Sequence, residues 1–283
     1  MMFITIYHGI SLCCYLDSVL RRAGDPVLLG VVVSVTMPDK ITDFAAKRRD
    51  AFSSEPLLHP AGVTLPFDGP SDAALIIPEI RSEIRSGAYC ADLVRLLPEA
   101  AVPGDRVLVI GAGLGVVSTL IARNEGVWSV IAVEANTALI PYLNRVHDLN
   151  GVSEVETINA VLAGGKKGRV PFFARRDLRT SSLLPHDRSW QQVMMVPFMN
   201  LNLILTEERI SLIICDVPVA SEQPLAQAEL ATVDCILLGC GDESDQCWED
   251  DGIGTLLVAR GYSAERSGTA VLFRRDGALT RRI

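Results

Sequence analysis

The 283-residue chain predicts an α/β protein whose central sheet is mostly parallel and ends in an antiparallel hairpin. Three observations predict it. After Pro103, short runs rich in Val and Ile alternate with segments of helical periodicity, the pattern of parallel strands joined by right-handed crossovers. The first run, RVLVIGA, passes directly into a glycine turn and then into the apolar stretch LGVVSTLIARN. The chain closes with SAERSG and TAVLFRRD, strand-like segments meeting at a glycine, which reads as a hairpin.

Each element follows from its local pattern. FITIY reads as a strand, ISLCCYLDSVLRR as an amphipathic helix and VLLGVVVSV as a second strand, so residues 1–36 suit a small β-α-β unit. Met37, followed by PDKITDFAAKRRD, reads like a natural start, so the segment before it is expected to be dispensable. ITDFAAKRRDAF is a further helix. Residues 53–70, SSEPLLHPAGVTLPFDGP, change to a proline-rich composition and read as a linker or irregular connection. Residues 1–75 are therefore expected to be an N-terminal α/β extension and linker, and residues 76–283 the main domain. IPEIRSEIRSG is a charged amphipathic helix leading into AYCADLVRLLPEA. In the main domain RVLVIGA and LGVVSTLIARN are followed by the strand VIAVEA and by the helix ALIPYLNRVHDLN, which Gly151 stops. VETINAVLA is a third strand, SLIICDV and VDCILLGC supply two more, and GTLLVARG is a helix before the C-terminal hairpin.

Composition bounds the function. Hydrophobic residues make up 49% of the chain, enough for a sizeable core, and the formal net charge of −8 argues against a nucleic-acid partner. The seven cysteines form no C-x-x-C pair, which predicts a reducing, cytoplasmic setting, and Cys215 and Cys235 lie in apolar runs where a thiol acts as a small hydrophobe. The N-terminus has no basic leader region, and the longest apolar run, PVLLGVVVSV, falls short of the roughly 20 residues that span a membrane. A soluble protein with no membrane partner is expected.

The glycine turn falls at the carboxyl end of the first strand of the series, where open α/β sheets bind ligands. Gly111, Gly113 and Gly115 are spaced G-x-G-x-G, whereas the dinucleotide fingerprint would place its third glycine at position 116, which is Val116. The next strand ends in Glu134, and a carboxylate there accepts hydrogen bonds from both hydroxyls of a ribose. Both NAD and S-adenosylmethionine carry that ribose. Three features favour the second: the missing glycine that would pack the helix beneath a pyrophosphate, the lack of a second mononucleotide-binding half, and the C-terminal hairpin.

From about Ile77 onward the chain resembles a class I methyltransferase, and specifically the FkbM-type family. The motifs are IGAGLG at the strand turn, AVEAN at the next strand end, HDLNG at a helix end, NLNLILTEERISLIICDVPVASE farther on, and GYSAERSGTAVLF at the terminus. The resemblance implies a Rossmann-like class I methyltransferase sheet and S-adenosylmethionine as cofactor. It also implies that Gly111, Ala112 and Gly113 face the methionine part, with Gly115 completing the turn, Glu134 on the ribose, and Ala135 and Ala160 bordering the adenine. Asp216 would lie beside the methyl-transfer centre, and Tyr89 matches a tyrosine upstream of the first strand. A core aromatic is the competing reading of Tyr89. Five positions depart from the family pattern: Val109, Ile214 and Asn202 replace charged residues, and Pro218-Val219 stands where E-G is usual. These changes remove charge around the reacting end and leave the ribose carboxylate in place.

Methyl transfer from a sulfonium needs an acceptor held in line, and a hydroxyl acceptor gains from a general base. Asp216 is the first candidate for that base, and His186, in LLPHDRSW, is the second, though a lone histidine in a polar loop is more often a surface residue. His147 reads as solvated, and His8 and His59 lie outside the expected site. The insertion GGKKGRVPFFARRDLRTSS carries Lys166, Lys167, Arg169, Arg175, Arg176 and Arg179, a patch that would attract an acidic acceptor or else form a solvated hairpin. The acidic run DESDQCWEDD suits a helix N-terminus, and no spacing points to a metal. The expected function is O-methylation of a small-molecule or glycan hydroxyl. The alternatives are a cofactor-holding protein without turnover and an NAD-dependent oxidoreductase.

Overall fold

The computed structural model describes residues 55–164, 168–185, 189–217, 223–240 and 252–277, all within one compact unit, Phe52–Ile283. Expectations for residues 1–54, for Lys166, Lys167, His186 and Pro218-Val219, and for the acidic run lie outside them. The described chain opens with β1 (Leu57–His59) and β2 (Val63–Leu65), paired antiparallel with Leu57 opposite Leu65. This corrects the reading of residues 53–70 as an irregular connection. Pro56, Pro60 and Pro66 bracket the paired positions rather than interrupting them, and Gly62 takes a φ of +87° in the turn.

Three helices follow: α1 (Pro70–Leu75), α2 (Pro78–Ser86) and α3 (Ala91–Ala100). Each of the first two begins at a proline, where the missing N–H would have had no helical partner. Leu57 and Leu65 of the hairpin are buried in one cluster with Ile80 and Ile84 of α2, Tyr89, and Leu114.

The alternating region comprises β3 (Arg106–Ile110), α4 (Val116–Ala122), β4 (Ser129–Glu134), α5 (Ile140–Leu149), β5 (Glu156–Asn159), β6 (Val161–Ala163), β7 (Arg169–Ala174), β8 (Gln192–Asn200), α6 (Leu201–Glu207), β9 (Leu212–Cys215), α7 (Gln223–Ala226), β10 (Cys235–Gly239), α8 (Ile253–Ala259), β11 (Tyr262–Ser267) and β12 (Ala270–Arg275). Seven strands form one sheet in the order β11-β12-β10-β9-β3-β4-β5. β5, β4, β3, β9 and β10 run parallel, and β12 runs against both β10 and β11. This is a Rossmann-like sheet ending in an antiparallel hairpin, the arrangement of the class I methyltransferase fold. Strand order reverses between β3 and β9, so the switch point, and with it the ligand crevice, lies at their carboxyl ends.

Both sheet faces are covered, which explains the near-continuous apolar strands. Leu108, Ile213, Ile236 and Phe273 face one core with Ile204 of α6 and Leu257 of α8. Val107, Val109, Ile214 and Leu237 face the other with Leu93 and Leu97 of α3 and Ile121 of α4. Arg145 on α5 fastens α1 down, donating to Asp72 at 2.9 Å and to Asp68 at 2.9 Å. Among the described residues no helix is long and apolar enough to cross a membrane.

Two sequence expectations change here. VETINAVLA is not one strand: β5 stays in the main sheet, the chain bends at Ala160, and β6 pairs with β8 in a separate sheet ordered β6-β8-β7. His147 is not solvated. It is 2% exposed, with Nε2 at 2.8 Å from the Ser118 hydroxyl, and burial pushes its imidazole down to about 4. The unfolded chain therefore binds a proton at His147 that the native state refuses until about pH 4, so this group's contribution is present above pH 6.5 and is lost as pH falls. Relative to His147→Gln, the wild type should lose roughly 3 kcal/mol of stability between pH 6.5 and 4. Urea titrations across that range check this, and parallel curves for the two proteins would refute it. Asp216 titrates in the same window but is common to both.

Candidate cofactor-binding and active site

The turn after β3 holds Gly111, Gly113 and Gly115 at φ of +77°, +55° and +85°. Glycine reaches this region without the steric cost that a Cβ brings. The amides of Gly111 and Ala112 both donate to the Val133 carbonyl, at 2.9 and 3.1 Å, which straps the turn to β4. The three glycines differ in what they make room for. A Cβ on Gly111 would lie 2.5 Å from the Asp216 carbonyl oxygen and 2.6 Å from Val217 Cγ1, and one on Gly115 would lie 2.6 Å from Leu143 Cδ1. Packing within the protein demands both. On Gly113 the nearest atom would be the Tyr89 hydroxyl oxygen, at 3.1 Å. Val116, where the dinucleotide fingerprint has its third glycine, is a buried core residue.

Glu134 is the last residue of β4 and is 7% exposed. Its Oε2 accepts from the Gly113 amide at 2.8 Å and its Oε1 from the Asn136 amide at 2.6 Å. Burial pushes the carboxyl up from the ordinary range, and the amides of Asn136 and Gly113 counteract that. Each oxygen of a carboxylate accepts more than one hydrogen bond, so both retain capacity for a ribose hydroxyl after these amides are served. The donor set thus fits a nucleoside cofactor. Asn159, at the tip of β5, donates to the carbonyls of Glu134 at 2.8 Å and Ala135 at 3.1 Å, and the Ala160 amide reaches the Glu134 carbonyl at 3.2 Å. Gly113, Glu134, Ala135 and Ala160 are therefore one assembly.

Tyr89 is a core aromatic, 5% exposed within the hairpin core, and its hydroxyl oxygen lies beside the glycine turn, 3.1 Å from where a Cβ on Gly113 would stand. His59 places Nε2 at 3.2 Å from the Tyr89 main-chain carbonyl oxygen. Asp216 directly follows β9, and its amide donates to the Ile110 carbonyl at 2.9 Å, which sets it beside Gly111. Its residue surface is exposed, yet protein packed around the carboxyl withdraws water from it and pushes it up to about 6. The Cys90 thiol donates to Asp216 Oδ2 at 3.5 Å and pulls the other way. The Cys90 thiol is itself pushed well up, by burial and then by the Asp216 charge, with the Arg179 guanidinium acting against both.

Among the described residues of the basic insertion, Arg169, Arg175 and Arg179 are bound by neighbouring groups, whereas Arg176 is exposed. Arg169 donates to the Met195 carbonyl at 2.7 Å. Arg175 is 6% exposed and caged by the carbonyls of Thr180 and Leu184 at 2.8 and 2.7 Å. Arg179 pairs with Asp177 at 2.7 Å and with Glu83 of α2 at 2.6 Å. Sequence reasoning missed Asn136, Asn159, Cys90 and Gly239. For Cys90 one signal existed: α3 starts without a Ser, Thr, Asp or Asn at its N-cap, the position that cysteine occupies.

No protein-family model matches the chain, and no curated protein matches it in sequence. Among solved structures, the chain is similar to a ribosomal protein L11 methylase from Lactobacillus delbrueckii subsp. bulgaricus, at 12% identity over 67% of this chain and 79% of that one, with a TM-score of 0.44. It is similar to a magnesium protoporphyrin IX methyltransferase from Synechocystis PCC 6803, solved with bound SAM, at 14% identity over 73% and 90%, with a TM-score of 0.41. A putative RNA methyltransferase from Pyrococcus horikoshii is similar at 13% identity over 67% and 83%, with a TM-score of 0.38.

Proposed function

We propose that the protein is an S-adenosylmethionine-dependent methyltransferase of the FkbM type, methylating a hydroxyl of a small molecule or glycan. The observation that carries this reading is the hydrogen bond from the Gly113 amide to Glu134, which joins the glycine turn of β3 to the acidic tip of β4. Glu134 accepts the ribose hydroxyls, Gly111, Ala112 and Gly113 line the methionine part beside Gly115, and Ala135 and Ala160 border the adenine. Tyr89 closes the site against Gly113. Asp216 orients the acceptor and takes its proton, while His186 keeps a place as the second candidate base. When bound, S-adenosylmethionine supplies the electrophilic methyl group. The chain's own tasks are to hold the acceptor in line and to accept one proton. The buried Val116 and the β11-β12 hairpin support this cofactor over NAD. The cysteine pattern supports a reducing, cytoplasmic setting.

S-adenosylhomocysteine at about 100 times its Kd should stabilise the protein by about 2.7 kcal/mol, and NAD should not. Glu134→Ala should remove most of that shift, because it takes away the acceptor for both ribose hydroxyls. Thermal unfolding with each ligand reads this out. Equal stabilisation by NAD, or an undiminished shift in Glu134→Ala, would overturn the cofactor assignment.

A further inference from the structure

Gly239 ends β10, an inner strand, where a glycine weakens pairing and packs nothing. Its φ is not in the left-handed region, so the backbone does not call for glycine there. Space does. A Cβ on Gly239 would lie 2.8 Å from Asp216 Oδ1 and 3.1 Å from Leu93 Cδ1. The other oxygen, Oδ2, is the one that accepts from the Cys90 thiol. Cys90 sits at φ +56°, ψ +24°, a left-handed conformation that costs a non-glycine residue of order 1–3 kcal/mol. It makes no side-chain cap to α3. Its thiol turns to Asp216 instead.

We infer that Cys90 and Gly239 are positioning residues for the Asp216 carboxyl, the thiol fixing one oxygen and the absent side chain making room for the other. The task given to Asp216 rests on the proposed function, but the positioning does not. The charged and titratable groups near the thiol are Tyr89, Asp216 and Arg179, and Glu134 reaches the same cluster through Tyr89. Among them Asp216 is the anion in contact with the thiol, so its removal or displacement should free the thiol to ionise.

The test is iodoacetamide labelling of the full-length protein between pH 6 and 9, with Cys90 followed by peptide mass mapping. Asp216→Asn should raise the Cys90 rate about tenfold or more at fixed pH and move its rise to lower pH. Gly239→Ala should do the same with residue 216 unchanged, because the new Cβ pushes the carboxyl off the thiol. Its thermal midpoint should fall by no more than a few degrees, because the new Cβ meets side-chain atoms of Asp216 and the buried Leu93 rather than backbone. Cys90→Ser keeps a donor and should retain the stabilisation by S-adenosylhomocysteine. Labelling that also rises at the buried Cys215, Cys235 and Cys240 would mark unfolding of a variant, and Gly239→Ala then decides. An unchanged or slower Cys90 rate in folded Gly239→Ala overturns the inference. Absence of any S-adenosylhomocysteine shift overturns the cofactor reading and leaves the labelling result to stand for the positioning alone.

Discussion

Gly111→Ala should cost about 2–5 kcal/mol and abolish stabilisation by S-adenosylhomocysteine. An L-residue at φ +77° carries roughly 1–2 kcal/mol of backbone strain. The new Cβ also falls 2.5 Å from the Asp216 carbonyl oxygen and 3.1 Å from its carbon, which adds an overpacking cost of about 1–3 kcal/mol. Neither atom can yield cheaply. They belong to the backbone just beyond β9, where the Asp216 amide is already bonded to Ile110. Gly113→Ala is the informative contrast, since its Cβ meets only the Tyr89 hydroxyl, and it should cost no more than about 1–2 kcal/mol. Urea unfolding of the two variants, with and without S-adenosylhomocysteine, compares them. A Gly111→Ala protein as stable as wild type would show that the turn is not built against β9 as described.

That contrast marks how far the sequence could be read. The period of the apolar runs specified β3, β4, β9 and β10, because a strand covered on both faces admits few polar residues. The glycine turn and Glu134 were legible for a related reason: a tight strand-to-helix turn and a carboxylate at a strand tip each leave a mark at one position. What stayed hidden depends on partners far along the chain. Gly239 looks like an ordinary strand end until Asp216, from the neighbouring strand, is found against it. Cys90 and Asp216 meet across 126 positions of sequence. His147 sits in a charged helix end, VHDLN, and nothing local tells that its imidazole turns inward to Ser118. The strand β8 escaped because Pro197 interrupts it. The fold tolerates that proline because Pro197 lies opposite Arg169 at the end of the β7 ladder, before the β6 pairing begins at Phe198.

Asp216→Asn should lower turnover on a hydroxyl acceptor by about 10²–10⁴-fold while leaving most of the S-adenosylhomocysteine stabilisation intact. The split follows from placement. Glu134 ends β4 and is held by the Gly113 and Asn136 amides, whereas Asp216 directly follows β9 and acts on Glu134 through its charge, the smallest of the influences on that carboxyl. An asparagine is nearly isosteric and keeps the backbone bond to Ile110, but it carries no charge, cannot take a proton and no longer opposes ionisation of the Cys90 thiol. The carboxyl's rise to about 6 has a direct consequence for pH. A base works only when ionised, so wild-type turnover should climb through about pH 6 and level above it, and the residual activity of Asp216→Asn should lack that limb. Incubation with labelled S-adenosylmethionine and a library of hydroxyl-rich metabolites supplies the acceptor, and the pH series is then run on the one that is methylated. Transfer that survives Asp216→Asn undiminished would remove the base role from Asp216. Tight cofactor binding with no transfer to any acceptor would favour a protein that holds the cofactor without turnover.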